Sequence, residues 1–139
     1  MACSTAPSGD PFVVSVAERA GCVIITLRGE LDIASAPALR EELGVVLKPE
    51  ACRLIIDLSA IRYADASGIA VLVGGLRRAG LLGGWLRLAA PTPAITEVLA
   101  VTGLNRHFTT FPTVETAIVG PRLVALSVFL VRVVCDDGS

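Results

Sequence analysis

One short stretch constrains this chain more than any other. Leu54-Ile55-Ile56 is an unbroken apolar run ending in Asp57, and downstream Ile69, Leu72, Val73 and Leu76 recur at i, i+3, i+4 and i+7 until Gly80. A continuously apolar strand needs cover on both faces, whereas residues at helical spacing form a single apolar stripe that packs on something else. A buried strand ending at Asp57, a loop from Leu58 to Ala66 and an amphipathic helix stopped by Gly80 are therefore expected, and a strand followed by such a helix belongs to an α/β fold.

The flanking sequence supports that class. Phe12–Ala17 and Cys22–Arg28 are β-rich runs joined by Glu18-Arg19-Ala20-Gly21, which reads as a hairpin. Ser35 is the expected cap of a helix that has Pro37 in its first turn and Ala36, Leu39, Leu43 and Val46 at helical spacing. Arg40, Glu41 and Glu42 form its polar face, and Pro49 ends it. Trp85–Ala89 reads as a strand, Pro93–Thr102 as a helix closed by Gly103, and Phe108–Phe111 as a short last strand. Thr113 caps a final helix that runs to Val119, before Gly120-Pro121. The order predicts one α/β domain, a mixed sheet of about five strands packed with about four helices.

The 139 residues divide on this reading into a flexible N-terminus at 1–11, the domain at 12–120 and an apolar C-terminal extension at 121–139. The extension holds the longest apolar run, Leu123–Val131, between Arg122 and Arg132. An added edge strand, a helix packed on the domain and a partner-binding segment all remain open for it. Nine residues fall short of the roughly 20 that span a bilayer, so no membrane span is expected. Met1–Pro11 lacks the charged start and apolar core of a signal peptide, which points to the cytoplasm.

Several chemistries find no support. Twelve basic and thirteen acidic residues give a net charge of −1 without a basic run, which argues against direct nucleic-acid binding. Cys3, Cys22, Cys52 and Cys135 are widely spaced and form no metal or redox motif, so they read as buried or incidental thiols. No phosphate-cradling glycine loop implies a nucleotide cofactor. No nucleophile elbow surrounds Ser67, His107 is the single histidine, and the adjacent Glu41 and Glu42 point apart, so no catalytic residues are assigned. Arg77 and Arg78 read first as solubilising charge, with a rim for an acidic partner as the alternative.

The residues that remain informative lie between strand and helix, in Asp57-Leu58-Ser59-Ala60-Ile61-Arg62-Tyr63-Ala64-Asp65-Ala66-Ser67-Gly68-Ile69. Ser67 and Gly68 fall where the helix begins, which predicts an exposed hydroxyl beside unpaired backbone N–H groups at the positive end of the helix dipole. A phosphate is accommodated there. Gly68 leaves room for another protein's active site to approach. From local pattern alone, Asp65 or Ser67 merely capping the helix is the commoner role.

This stretch resembles the signature of STAS domains, and specifically of bacterial anti-anti-sigma factors, as does the upstream Gly29-Glu30-Leu31-Asp32 followed by Ser35-Ala36. The resemblance covers about Phe12 to Val119. It implies that Ser67, immediately before the motif glycine, is phosphorylated by an anti-sigma factor with serine kinase activity, with Asp65 as the acid beside it. It also implies that the unphosphorylated form binds that kinase and releases a sigma factor, and that a PP2C-type phosphatase reverses the modification. Gly29, Glu30, Asp32, Asp65, Ser67 and Gly68 are the implied partner-binding residues. Ala66 stands where the family usually has a first serine, and Tyr63 and Ala64 replace larger or more apolar loop residues. A STAS scaffold subunit of a signalling assembly or of a lipid-transport complex is the alternative.

Overall fold

A computed structural model describes residues 11–120. Strands β1 (Val13–Arg19), β2 (Cys22–Leu31), β3 (Arg53–Ala64), β4 (Trp85–Ala89) and β5 (Thr109–Phe111) form one sheet in sequence order. The first pair is antiparallel and the other three pairs are parallel. Parallel neighbours require crossovers, and these are supplied by α1 (Ala36–Val46), α2 (Ala66–Leu81) and α3 (Pro93–Thr102), with a 3-10 turn at Leu104–Arg106 before β5. The last helix, α4, spans Val114–Val119. The expected mixed sheet with four helices is therefore present. Residues 1–10 and the extension at 121–139, with Cys3 and Cys135, lie outside the described residues.

Alternation along the strands divides the core in two. Val23, Ile25 and Leu27 of β2, with Leu54, Ile56 and Leu58 of β3, pack against Leu39 and Leu43 of α1, Ile69 and Leu72 of α2, and Ile95 and Leu99 of α3. The intervening residues Cys22, Ile24 and Ile55 point the other way, where Ala117 of α4 covers them. Leu54-Ile55-Ile56 is buried on both faces, as an unbroken apolar run requires.

On that second face Arg87 lies 3.6 Å from the centroid of Trp85 and 5.8 Å from that of Phe111. Its Nη1 donates to the Ala117 carbonyl at 2.8 Å, so one guanidinium ties α4 to the sheet. Burial lowers its pKa. Burial raises that of the neighbouring Cys22 thiol, against the opposing pull of Arg87 and Arg53. Arg19 and Glu115, 3.5 Å apart and both exposed, add a weak ion pair between β1 and α4.

Two boundaries differ from the sequence expectation in ways that position the site. The hairpin turn is only Ala20-Gly21, both left-handed at φ 53° and 79°, so β1 continues to Arg19. More consequentially, the expected loop from Leu58 to Ala66 does not exist. Strand β3 continues to Ala64, although β4 pairs with it only from Arg53 to Asp57. Residues 58–64 thus pair only with β2, and past Arg28, where the pairing of β1 ends, the two strands form a ribbon rising beyond the sheet. Register shifts between Thr26 and Arg28 and between Gly29 and Glu30 bend this ribbon and place Leu58, Ile61 and Ala64 inside at threefold spacing.

Smaller differences have local causes. Helix α2 passes through Gly80 to Leu81, and the chain then turns at Gly83, whose φ is 89°. Strand β5 begins at Thr109, because Phe108 turns into the core. Helix α3 has the expected bounds and ends at left-handed Gly103. The N-terminus of α4 carries a reciprocal Thr113–Thr116 capping box. Among the described residues no helix is long and apolar enough to cross a membrane.

Candidate functional site

The ribbon delivers the chain directly into α2. Asp65 is extended at φ −132° and ψ −179°, and its Oδ1 accepts the Gly68 N–H at 3.1 Å, so it is the cap. Ser67 is then the second helical residue. It is half-buried rather than fully exposed, and its hydroxyl makes no hydrogen bond among the described residues. The amides of Ala66 and Ser67 occupy the first two helical positions, which have no intrahelical acceptor, whereas the Gly68 amide is already taken by Asp65.

The upstream motif meets this helix start through the backbone. The Asp65 N–H donates to the Leu31 carbonyl at 3.1 Å. Gly68 packs so closely on the same carbonyl that a Cβ would overlap it. Glycine is thus required at 68 by a neighbouring strand rather than by backbone conformation.

Asp32 follows immediately. Its Oδ1 accepts the N–H groups of Ala34 at 3.0 Å and Ser35 at 3.1 Å, and its carbonyl accepts the Ala36 N–H at 2.9 Å. These bonds make Asp32 the residue that starts the turn into α1. The cap expected of Ser35 is absent. Ser35 has helical backbone angles, φ −92° and ψ −14°, and is buried. Its hydroxyl accepts the Asp32 N–H at 2.9 Å and donates to the Glu30 carbonyl at 2.7 Å, which satisfies it inside the turn.

The structure therefore brings Asp32, Asp65, Ser67 and Gly68 to one edge, with Glu30 opposite Tyr63 on the ribbon just below. Gly29 and Gly68 are buried, so they build this surface from within rather than forming its outer face. At Gly29, with φ 111°, a Cβ would stand 3.0 Å from the Pro11 carbonyl oxygen.

Two large exposed side chains outside the implied partner-binding set share this edge. Ile33 is 72% exposed and Tyr63 49% exposed, and they project from the ends of the same two strands. An apolar Ile33 inside a polar turn was the available signal. His107 is exposed after the 3-10 turn and makes no hydrogen bond to Ser67. Among the described residues no cluster of three His, Cys, Asp or Glu could hold a metal.

The sequence and the architecture have counterparts among known proteins. Over 113 residues the chain is 28% identical to the anti-sigma-F factor antagonist RsfB of Mycobacterium tuberculosis, covering 81% of this chain and 92% of that protein. The crystal structure of an anti-sigma factor antagonist from Mycobacterium paratuberculosis matches at a TM-score of 0.72 with 29% identity, over 81% of this chain and 94% of that one. The Bacillus cell fate determinant SpoIIAA, solved in a phosphorylated form, matches at a TM-score of 0.60 with 25% identity, over 78% and 96% of the two chains. The sequence model of the STAS domain matches residues 13–117, from the first strand into the last helix, and the chain belongs to the STAS domain family.

Proposed function

We propose that this chain is an anti-anti-sigma factor whose unphosphorylated form binds an anti-sigma factor serine kinase and so releases a sigma factor. Phosphorylation of Ser67 abolishes that binding, and a PP2C-type phosphatase restores it. The chain is then a ligand and substrate of its partners, not a catalyst. The names of the relatives support the antagonist role, and the phosphorylated form of one of them supports a phosphate-controlled one.

The observation that carries the reading is the setting of Ser67. Its hydroxyl is uncommitted at the second position of α2, while Asp65 and Gly68 on either side are locked to Leu31 and to each other. The acceptor is thus available on a rigid mount. By contrast Ser59, the nearest other serine of the motif, holds its hydroxyl 2.8 Å from Asp57 Oδ1.

A phosphate adds about two negative charges beside the Asp65 carboxylate. The helix dipole tolerates them in the free protein, but a partner surface that must be desolvated on docking does not. A penalty of about 3 kcal/mol lowers affinity on the order of 100-fold. The test is incubation with the anti-sigma kinases of the same genome and ATP, then mass spectrometry and titration of both forms. Ser67→Ala should resist modification and still bind, and Ser67→Glu should bind weakly. Phosphate on Ser59 or Thr26, or equal affinity before and after modification, would end the reading.

A further inference from the structure

We infer that the cleft between α1 and α2 is a second docking subsite for the anti-sigma partner, shaped for an acidic helix of that protein. The inference rests on the antagonist reading and extends it to a surface that the two motifs do not contain.

Helices α1 and α2 run in the same direction, because each connects two parallel strands. Between them lies an open cleft of about 230 Å³. Its floor is apolar, made by the buried side chains of Leu43, Leu47 and Val71. Arg40 and Arg78 line it as well, and both are exposed. Residues 67, 71, 74 and 78 fall on one face of α2, so the cleft continues from Ser67 along the helix. Arg40 lies in the first half of α1 and Arg78 in the last turn of α2, so each helix contributes one guanidinium to the cleft.

Charge and backbone composition indicate what fits. No carboxylate lines the cleft, and among the described residues neither arginine makes an ion pair. The whole chain carries a net charge of −1, so this positive lining is a local feature. Gly44 and Gly74 stand on opposite rims inside their helices, where glycine weakens a helix relative to alanine. A Cβ at either position would meet nothing within 4 Å. Gly75, one residue on, is different: its Cβ would lie 3.1 Å from the side-chain ends of both Leu43 and Leu86, which would have to give by a few tenths of an ångström. The fold gains nothing from glycine at 44 and 74, but a helix laid into the cleft does. Its carboxylates would pair with Arg40 and Arg78.

The test uses the anti-sigma factors of the same genome, purified individually and titrated against the full chain. Arg40→Glu and Arg78→Glu should each weaken binding about tenfold, with a loss that shrinks at high salt. Gly74→Leu should weaken it at least as much by filling the cleft. Gly44→Ala and Gly74→Ala should raise the melting temperature by a few degrees, which separates obstruction from unfolding. If the wild-type chain binds and these variants bind equally well, the cleft assignment is wrong while the antagonist reading stands. If the wild-type chain binds no anti-sigma factor, both fall. Loss of self-association in the variants, with partner binding intact, would assign the cleft to a second copy and overturn the inference.

Discussion

The backbone N–H of Asp65 donates to the carbonyl oxygen of Leu31 at 3.1 Å, and Gly68 rests on that same carbonyl. Two motifs more than thirty residues apart in sequence thereby share one peptide group. The geometry of Ser67 depends on the strand end that precedes Asp32 as much as on its own helix.

Gly68→Ala tests this contact. Its methyl group has to displace a backbone carbonyl held in the ribbon, which should cost about 3 kcal/mol. Urea unfolding of the purified variant measures it. A loss below about 1 kcal/mol would show that the ribbon yields and that the contact is not what requires glycine.

Asp32 combines charge with structure, so its substitutions separate the two. Asp32→Asn keeps an oxygen for the Ala34 and Ser35 amides and should leave stability within about 0.5 kcal/mol while weakening partner binding. Asp32→Ala removes the acceptor and should destabilise by about 1 kcal/mol. Full affinity in the asparagine variant would remove the Asp32 charge from the docking surface.

Asp65 can be divided in the same way. Asp65→Ala should lower stability by about 1 kcal/mol through loss of the bond to Gly68, and Asp65→Asn should restore most of it. Thermal and denaturant midpoints of the pair provide the measurement. Equal loss in both variants would mean that the carboxylate charge at the helix terminus, not the hydrogen bond, is the stabilising element.

Cys22 gives a pH signature. Burial raises its thiol pKa above the ordinary 9.0, so the folded chain ionises there less readily than the unfolded chain. The associated stability is fully present below about pH 9 and is lost as pH rises through the folded value. The stability difference between wild type and Cys22→Ala should therefore shrink in alkaline buffer. A difference that stays constant from pH 7 to 10.5 would contradict the burial of the thiol.

Local patterns made much of this fold readable. Trp85–Ala89 and Pro93–Thr102 have the bounds that their alternation, proline and glycine suggest. The end of β3 was hidden because register shifts against β2 replace strict alternation with burial at Leu58, Ile61 and Ala64, and such spacing does not read as a strand. Ser35 looked like a cap because serine before a proline-containing first turn usually is one. Only the tertiary path of β2 shows that its hydroxyl is committed to Glu30 and Asp32. Ser67, Asp65 and Asp32 were named from their motifs, and the structure places them at one edge. The Leu31–Gly68 contact was not, since it joins backbone atoms whose side chains carry no sign of it.

The Ala20-Gly21 turn lies at the start of β2, whereas Leu31, beside the start of α2, lies at its end. Ten residues of extended chain hold these points roughly 30 Å apart. A fluorophore or surface tether attached at the hairpin would therefore leave the Ser67 edge open on every molecule, and a binding signal from such a probe would report docking without obstructing it.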